Sequence, residues 1–269
     1  MGSAPAFFDK GRKNTREETV IRMLSFVLAV LVLVAAGSAE AGMVFSDDFD
    51  GYAVGTVDPG NWDDSGSTDG VNWATNTLVG SGNSFYIADT VSGDEYMVVN
   101  NFADHTFTTG EYVQVDYYAQ ALRTDVDALE CLLIDDFGST IMSVSFAGHG
   151  NIQYFDGTGH NTGYAYSAGS NYHFRAMIYP TNYLGGGAAA KWDLFVNDMG
   201  TPLVSDIKWV QPETTEAGAW VVSAAVPDSE GGGYLDDLTI QSIPEPGTLA
   251  LMGMGLAGLL GARRQKKRG

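Results

Sequence analysis

The chain has 269 residues, a hydrophobic content of 45% and a formal charge of −19 at pH 7. Between Gly42 and Ile243 it carries four Lys and Arg residues against 28 Asp and Glu residues, so this central part has a formal charge of −24. So acidic a body repels phosphate backbones, which argues against nucleic acid as a partner. The single cysteine, Cys131, excludes an internal disulfide, so the core must hold the fold without covalent cross-links.

The first 41 residues have the three parts of a cleavable secretory signal. An unusually long basic segment ends at Arg22, the apolar run MLSFVLAVLVLVAAG covers 23–37, and the small residues AEA end at Ala41. This order predicts a signal helix with cleavage after Ala41. The alternative is a retained membrane anchor, for which the 15-residue apolar run is short.

Residues 42–243 show alternation of apolar and polar positions and no sustained helical periodicity. In EYVQVDYYAQ, for example, Val113, Val115 and Tyr117 fall on one face of a strand, and the intervening residues fall on the other. Similar short runs recur between clusters of Gly, Asn, Asp and Ser. About a dozen short strands in one domain predict an all-β fold, a two-sheet antiparallel sandwich flanked by the N-terminal signal helix and a C-terminal hydrophobic helix.

The order of the segments in this body is similar to a known architecture. The body opens with VFSDDFDGYAVGTVDPGNWDD, continues through LLIDDFGSTIMSVSFAGHGNIQYFDG and KWDLFVNDMGTPL, and closes with GGGYLDDLTI. Together these segments resemble the concanavalin A-like, laminin-G-like jelly roll over residues 43–241. The resemblance implies a jelly-roll fold and leaves the function open, because one fold hosts many functions.

Two acidic residues suggest a metal site within that resemblance. In laminarinase-type glucanases an acidic residue near the start and an Asp at the head of the last strand share a structural calcium. Asp48, before Phe49, and Asp236, in YLDDLTI, match these positions. The resemblance therefore implies a calcium held by Asp48 and Asp236, since hard oxygen ligands suit this ion. The alternative is that both acids lie on turns, where Asp is common.

The same resemblance raises the question of catalysis. Those glucanases carry Glu-x-Asp-x-x-Glu on one strand, with the two Glu as nucleophile and acid/base. The sequence DVDALE places Asp125, Asp127 and Glu130 at this spacing, with Asp in the nucleophile position. The shorter side chain would hold the carboxylate back from the anomeric carbon, and such misplacement is costly. We therefore expect no enzyme activity, and a degenerate or active glucanase-like hydrolase is the alternative.

The function predicted for the body is a non-catalytic glycan-binding or structural module, with extracellular polysaccharide as the partner. Solvent-facing aromatic rings stack on the C–H faces of sugars. The candidate ligand-binding residues are Trp73, Tyr154, Tyr164 and Tyr166. The alternative for each of them is packing in the core, and a purely structural module would have no ordered aromatic patch.

Residues 244–269 form a third segment. Pro244, Glu245 and Pro246 precede an apolar run from Thr248 to Ala262 and a basic cluster, Arg263, Arg264, Lys266, Lys267 and Arg268. As a helix the apolar run would be about 22 Å long, so it would cross a ~30 Å hydrocarbon core only with thinning or snorkelling, its basic end cytoplasmic.

These three ordered features closely resemble the PEP-CTERM sorting signal of Gram-negative bacteria. The resemblance implies recognition and cleavage near Pro-Glu-Pro by a membrane-embedded exosortase. It also implies export through the inner membrane, transient anchoring there, and release or transfer to the cell surface or extracellular matrix. The alternative is a simple C-terminal membrane anchor.

Overall fold

The computed structural model describes residues 41–57, 62–63, 70–76, 79–89, 96–107, 110–181, 189–211, 214–224 and 232–244. These residues form fifteen strands: β1 (Gly42–Asp47), β2 (Trp62–Asp63), β3 (Gly70–Thr75), β4 (Ser84–Asp89), β5 (Tyr96–Thr106), β6 (Glu111–Ala121), β7 (Leu129–Ile134), β8 (Thr140–Ala147), β9 (Asn151–Phe155), β10 (Gly159–Ala165), β11 (Tyr172–Tyr179), β12 (Lys191–Val196), β13 (Val204–Lys208), β14 (Glu216–Ala224) and β15 (Gly233–Pro244).

The strands pair antiparallel into two sheets. Sheet A has the order β13-β12-β11-β6-β15-β4-β3, and β1 also pairs with β15. Sheet B has the order β10-β9-β8-β7-β14-β5-β2. The prediction of an all-β, two-sheet antiparallel jelly-roll sandwich is confirmed.

The period-two pattern of the sequence places one face of each sheet in a common core. In β11 the residues alternate strictly between buried and half-buried positions, and β7 repeats this pattern. Trp62, Trp192 and Trp220 are fully buried in this core. Burial of such large side chains gives the hydrophobic stabilisation that a chain without disulfides requires.

The two chain ends of the body meet in sheet A. Strand β1 begins at Gly42, which pairs with Ser242 in β15, and the end of β15 pairs with β6 as far as Pro244 opposite Glu111. A bulge between Asp236 and Thr239, with Asp237 at φ 48°, lets β15 pair first with β4 and then with β1.

The strands of this body lie between Gly42 and Pro244. The predicted domain boundaries at residues 42 and 243 stay predictions. The predicted signal helix and C-terminal helix lie outside the described residues. Within the described ranges, no helix has the length and apolar character needed to cross a membrane.

Candidate functional site

A row of polar side chains crosses the outer face of sheet B, the face that points away from the core. The side chains of Leu129, Cys131 and Leu133 in strand β7 lie in the core. Because side chains alternate along a strand, Glu130 points outward. Glu130 is opposite Ser223 of β14 on one side and Ser145 of β8 on the other. The cross-strand register extends this outer row through the following residues: Ser223, Glu130, Ser145, Gln153 and Asn161. Five adjacent strands at their usual spacing make the row about 19 Å long.

The first four residues of this row, from Ser223 to Gln153, line a cleft of about 330 Å³, which we call the sheet B cleft. Its lining consists of two acids, three serines, a glutamine, two aromatic residues, a leucine and a glycine: Asp127, Glu130, Ser143, Ser145, Ser223, Gln153, Tyr154, Phe155, Leu129 and Gly159. An open cleft lined by a few polar groups beside an aromatic ring is a suitable shape for a small ligand or a chain of sugars.

Glu130 lies between Ser223 and Ser145 in the polar row. The hydroxyl of Ser143 donates a hydrogen bond to Glu130 Oε1. Asp127, just before β7, accepts a 2.6 Å hydrogen bond from the Gly148 amide at its Oδ1. These contacts fix the two carboxylates at the cleft by bonds to neighbouring segments, and an ionised carboxylate is an acceptor with room for several donors.

Ser223 has an unusual environment. Its side chain is 1% exposed, and its Oγ has no hydrogen-bond partner among the described residues. Leaving a buried hydroxyl without a partner costs about 1–3 kcal/mol. Ser223 also lines the sheet B cleft.

Phe155 is the aromatic residue on the outer face of sheet B. It follows Gln153 by two positions in β9, so it shares that residue's face, and its side chain is 37% exposed. Tyr154 has the opposite parity. Its ring stacks on His160 at 5.0 Å and meets the edge of the buried Trp192 at 6.3 Å. Tyr154 thus borders the cleft while its ring packs toward the interior.

The other three predicted aromatic residues are not at this cleft. Tyr166 is 5% exposed, and its hydroxyl donates to the carbonyls of Arg123 and Ala147. Burial is the main cause that raises the pKa of Tyr166 to about 12. The prediction that Tyr166 faces solvent is wrong, because its ring packs in the core against Phe146.

Tyr164 and Trp73 are both half-buried. Tyr164 accepts a hydrogen bond from the Asn197 side chain and lies edge-on to Tyr172 at 6.4 Å. Trp73 is on sheet A, where its ring lies 4.5 Å from that of Tyr86. The structure therefore does not bring the four predicted aromatic residues together.

The sequence DVDALE does not lie on one strand. Strand β7 begins at Leu129, so Asp125 and Asp127 precede it. Asp125 is exposed and forms a two-pronged salt bridge with Arg123, at 3.0 Å and 2.9 Å. This hydrogen bonding lowers the pKa of Asp125. Asp127 and Glu130 line the cleft, whereas Asp125 is not one of the described residues in its lining.

The predicted calcium ligands have different environments. Asp48 is exposed, and its Oδ1 accepts a hydrogen bond from the Asp50 amide. Asp236 is fully buried and accepts three hydrogen bonds, from the amides of Gly80 and Asp237 and from the hydroxyl of Ser84. The three donors around Asp236 occupy the oxygens that a cation would need, so the local bonding does not favour a metal at this carboxylate.

A second cleft, of about 520 Å³, lies along β1 and β15. Asp47, Asp48 and Asp237 line it, together with the buried Asn100, whose Oδ1 has no hydrogen-bond partner among the described residues. Asp47 is held by the Tyr52 hydroxyl at 3.1 Å and by the Trp62 indole at 2.8 Å. Among the described residues, no group of three or more His, Cys, Asp and Glu side chains is placed to hold a metal ion. The calcium at Asp48 and Asp236 stays a prediction.

Most of the predicted sorting residues lie outside the described residues. Pro244 is the last residue of β15, and Glu245, Pro246 and the basic cluster from Arg263 to Arg268 follow the described part of the chain.

The fold is similar to several solved structures. A sialidase shares 15% identity and a TM-score of 0.51, and the match covers 77% of this chain and 18% of the sialidase chain. An endo-β-1,4-glucuronan lyase from the fungus Trichoderma reesei shares 9% identity and a TM-score of 0.49, over 74% of this chain and 94% of that one. A cellulose-induced protein, Cip1, shares 15% identity and a TM-score of 0.48, over 73% of this chain and 96% of the Cip1 chain. At such identities the likeness shows the fold alone.

No curated protein matches this chain in sequence. The C-terminal segment does match a known family model, the PEP-CTERM protein-sorting motif, over residues 242–265. The resemblance predicted from Pro244-Glu245-Pro246, the apolar run and the basic cluster is therefore confirmed. The motif implies that the protein is exported in a Gram-negative bacterium, held transiently at the membrane and processed by an exosortase.

Proposed function

We propose that this protein is a cell-surface or extracellular-matrix protein whose sandwich is a non-catalytic glycan-binding module, with the sheet B cleft as the binding site. One observation carries the proposal. The outer face of sheet B combines a row of hydroxyl, amide and carboxylate groups with an exposed ring, Phe155, and a buried hydroxyl, Ser223, that has no partner in the described part of the chain. Sugars offer hydroxyls to such polar groups and apolar C–H faces to such rings.

Export supports this proposal. A protein that the sorting motif directs through the inner membrane meets polysaccharide at the cell surface and in the matrix. The body's acidity keeps it from anionic polymers such as nucleic acid and leaves hydroxyl-rich polymers as partners.

The test uses mature protein and a panel of polysaccharides, with Phe155→Ala compared against Phe137→Ala. Phe137 is 87% exposed, on the turn between β7 and β8, and does not line the cleft. We expect the wild type to bind at least one polysaccharide and Phe155→Ala to weaken it about five-fold, the effect of one lost ring contact of about 1 kcal/mol. Phe137→Ala should bind as the wild type does. Equal loss in both variants, or no binding to any polysaccharide, would contradict the proposal.

Hydrolysis is a second candidate function, because Asp127 and Glu130 are carboxylates that share one cleft. The salt bridge that holds Asp125 to Arg123 argues against a third carboxylate acting as nucleophile. We expect no hydrolysis of laminarin, lichenan or similar β-glucans. Reproducible hydrolysis that disappears in Glu130→Gln would replace the non-catalytic proposal with the hydrolase.

A further inference from the structure

We infer that the sheet B cleft selects uncharged glycans over polymers of uronic acids, and that Glu130 determines this selectivity. The inference rests on the proposed binding of glycans at this cleft. It concerns the class of ligand, which the fold and the sorting motif leave open.

The first argument is the distribution of charge between the two sheets. The strands of sheet B contain no Lys or Arg, whereas three of the body's four basic residues, Arg175, Lys191 and Lys208, belong to strands of sheet A. The fourth, Arg123, forms its salt bridge with Asp125. A uronate chain in the sheet B cleft would therefore meet the carboxylates of Asp127 and Glu130 in a lining whose described residues include no Lys or Arg.

The second argument is the hydrogen-bonding character of the row. An ionised carboxylate only accepts hydrogen bonds, so Glu130 is matched by the hydroxyl donors of a neutral sugar. A uronate replaces one hydroxymethyl donor on each sugar with another acceptor-only carboxylate. Hydrogen bonds to charged groups contribute more than neutral ones, so this mismatch at Glu130 is costly.

The third argument is Ser223, the neighbour of Glu130 in the row. Its buried hydroxyl both donates and accepts and has no partner among the described residues. Sugar hydroxyls have the same dual character, so one sugar hydroxyl can bond to Ser223 and donate to Glu130. The two side chains together form a site for a neutral hydroxyl at the β14 end of the row.

The test compares one polymer in two forms: polygalacturonate, and the same polymer after chemical reduction of its carboxyl groups to hydroxymethyl groups. Dissociation constants are measured with mature protein at low salt. We expect the wild type to bind the reduced polymer at least about ten-fold more tightly than its parent. Added salt should narrow the gap, because screening weakens repulsion between carboxylates.

The variants are Glu130→Gln and Ser223→Ala, with Asp198→Asn and Ser205→Ala as controls of the same chemistry on the sheet A side of the molecule. Glu130→Gln should reduce the ratio of the two dissociation constants about ten-fold, an effect on selectivity that a purely structural residue would not have. Ser223→Ala should weaken binding of the reduced polymer about five-fold, the effect of one neutral hydrogen bond. Its melting temperature should not fall, because the mutation removes a hydroxyl that has no partner among the described residues.

The outcomes separate this inference from the proposed function. Preference of the wild type for the uronate, or an unchanged ratio in Glu130→Gln, would overturn the inference and leave glycan binding intact. Failure to bind either polymer or any neutral polysaccharide would overturn glycan binding itself, and the inference with it.

Discussion

Asp236 illustrates how burial changes the properties of a single carboxyl group in this sandwich. It is fully buried near the bulge of β15. Burial raises its pKa from 3.8 to about 6, although hydrogen bonds from Gly80, Asp237 and Ser84 act in the opposite direction. Between these two pH values the folded protein holds this proton and the unfolded chain has already released it.

This difference predicts how stability changes with pH. The group's contribution is fully present below about pH 4, where both states are protonated, and it is lost as the pH rises to about 6. Urea denaturation of the wild type and of Asp236→Asn at several pH values isolates the contribution of Asp236 to the free energy of unfolding. We expect the wild type's stability advantage over the variant to shrink between pH 4 and 6, because the variant cannot titrate at this position. An advantage that grows over this range would show that Asp236 is ionised in the folded state.

The residues of the proposed binding site in the sheet B cleft could be predicted only in part from the sequence. Alternation in NIQYF indicates that Tyr154 and Phe155 point to opposite faces, but it does not say which face is outward. That choice depends on contacts distant in the sequence, since Tyr154 lies opposite Val144 of β8 and its ring meets Trp192 of sheet A. Ser223 could not be identified from the sequence, because the environment of its hydroxyl depends on residues that are far away in the sequence.

At the scale of elements, the pairing of β1 with β15 brings the two acids of the predicted calcium site onto neighbouring segments. The predicted ligands are Asp48, just after β1, and Asp236, in β15. A ligand that binds only the folded state raises its stability by mass action.

The calcium prediction is tested by melting. If the ion is bound, calcium should raise the melting temperature and chelator should lower it, and Asp236→Ala should abolish the difference while Asp198→Ala retains it. The shift should also decrease below about pH 6, because the ion must displace the proton of Asp236. Identical melting of the wild type in chelator and in millimolar calcium would rule the site out.

Strand β15 also limits where the sorting motif is cut. The motif begins at residue 242, and residues 242–244 are still paired with β6. A protease acts on extended, accessible chain, so a bond inside a central strand of the folded sheet is protected.

We therefore expect the mature protein to begin at or near Gly42 and to end between Pro244 and about Pro246. Sequencing of the N-terminus and intact mass of the secreted form measure both ends. A mature form that still carries the basic tail, in cells that possess an exosortase, would contradict the sorting prediction. A C-terminus within β15 would contradict protection by the fold.

The fold class could be predicted from alternation and turn residues, because period-two alternation is typical of half-buried strands. The number of strands was underestimated, since about a dozen were predicted and the described residues form fifteen. The order of strands in the sheets could not be predicted, because pairing such as β7 with β14 joins segments far apart in the sequence. The sheet B cleft arises from that pairing, which places Ser223 beside Glu130.

At the scale of the whole sandwich, the two sheets have different surfaces. Sheet A carries three basic residues and a hydrogen-bonded group around Asp116, which accepts bonds from Gln114, His173 and Arg175. The described strands of sheet B contain no Lys or Arg, and this sheet presents the polar row and Phe155. This division supports the proposal that a ligand binds to sheet B rather than to sheet A.

The most direct test of glycan binding at the sheet B cleft is a crystal structure of the mature protein with the oligosaccharide that it binds most tightly. We expect electron density for the sugars across β14, β7, β8 and β9. Sugar hydroxyls should lie within hydrogen-bond distance of Ser223 Oγ and Glu130, and one sugar face should pack against Phe155. Sugar density on the outer face of sheet A, over Trp73 or Tyr118, with the sheet B cleft empty, would contradict it.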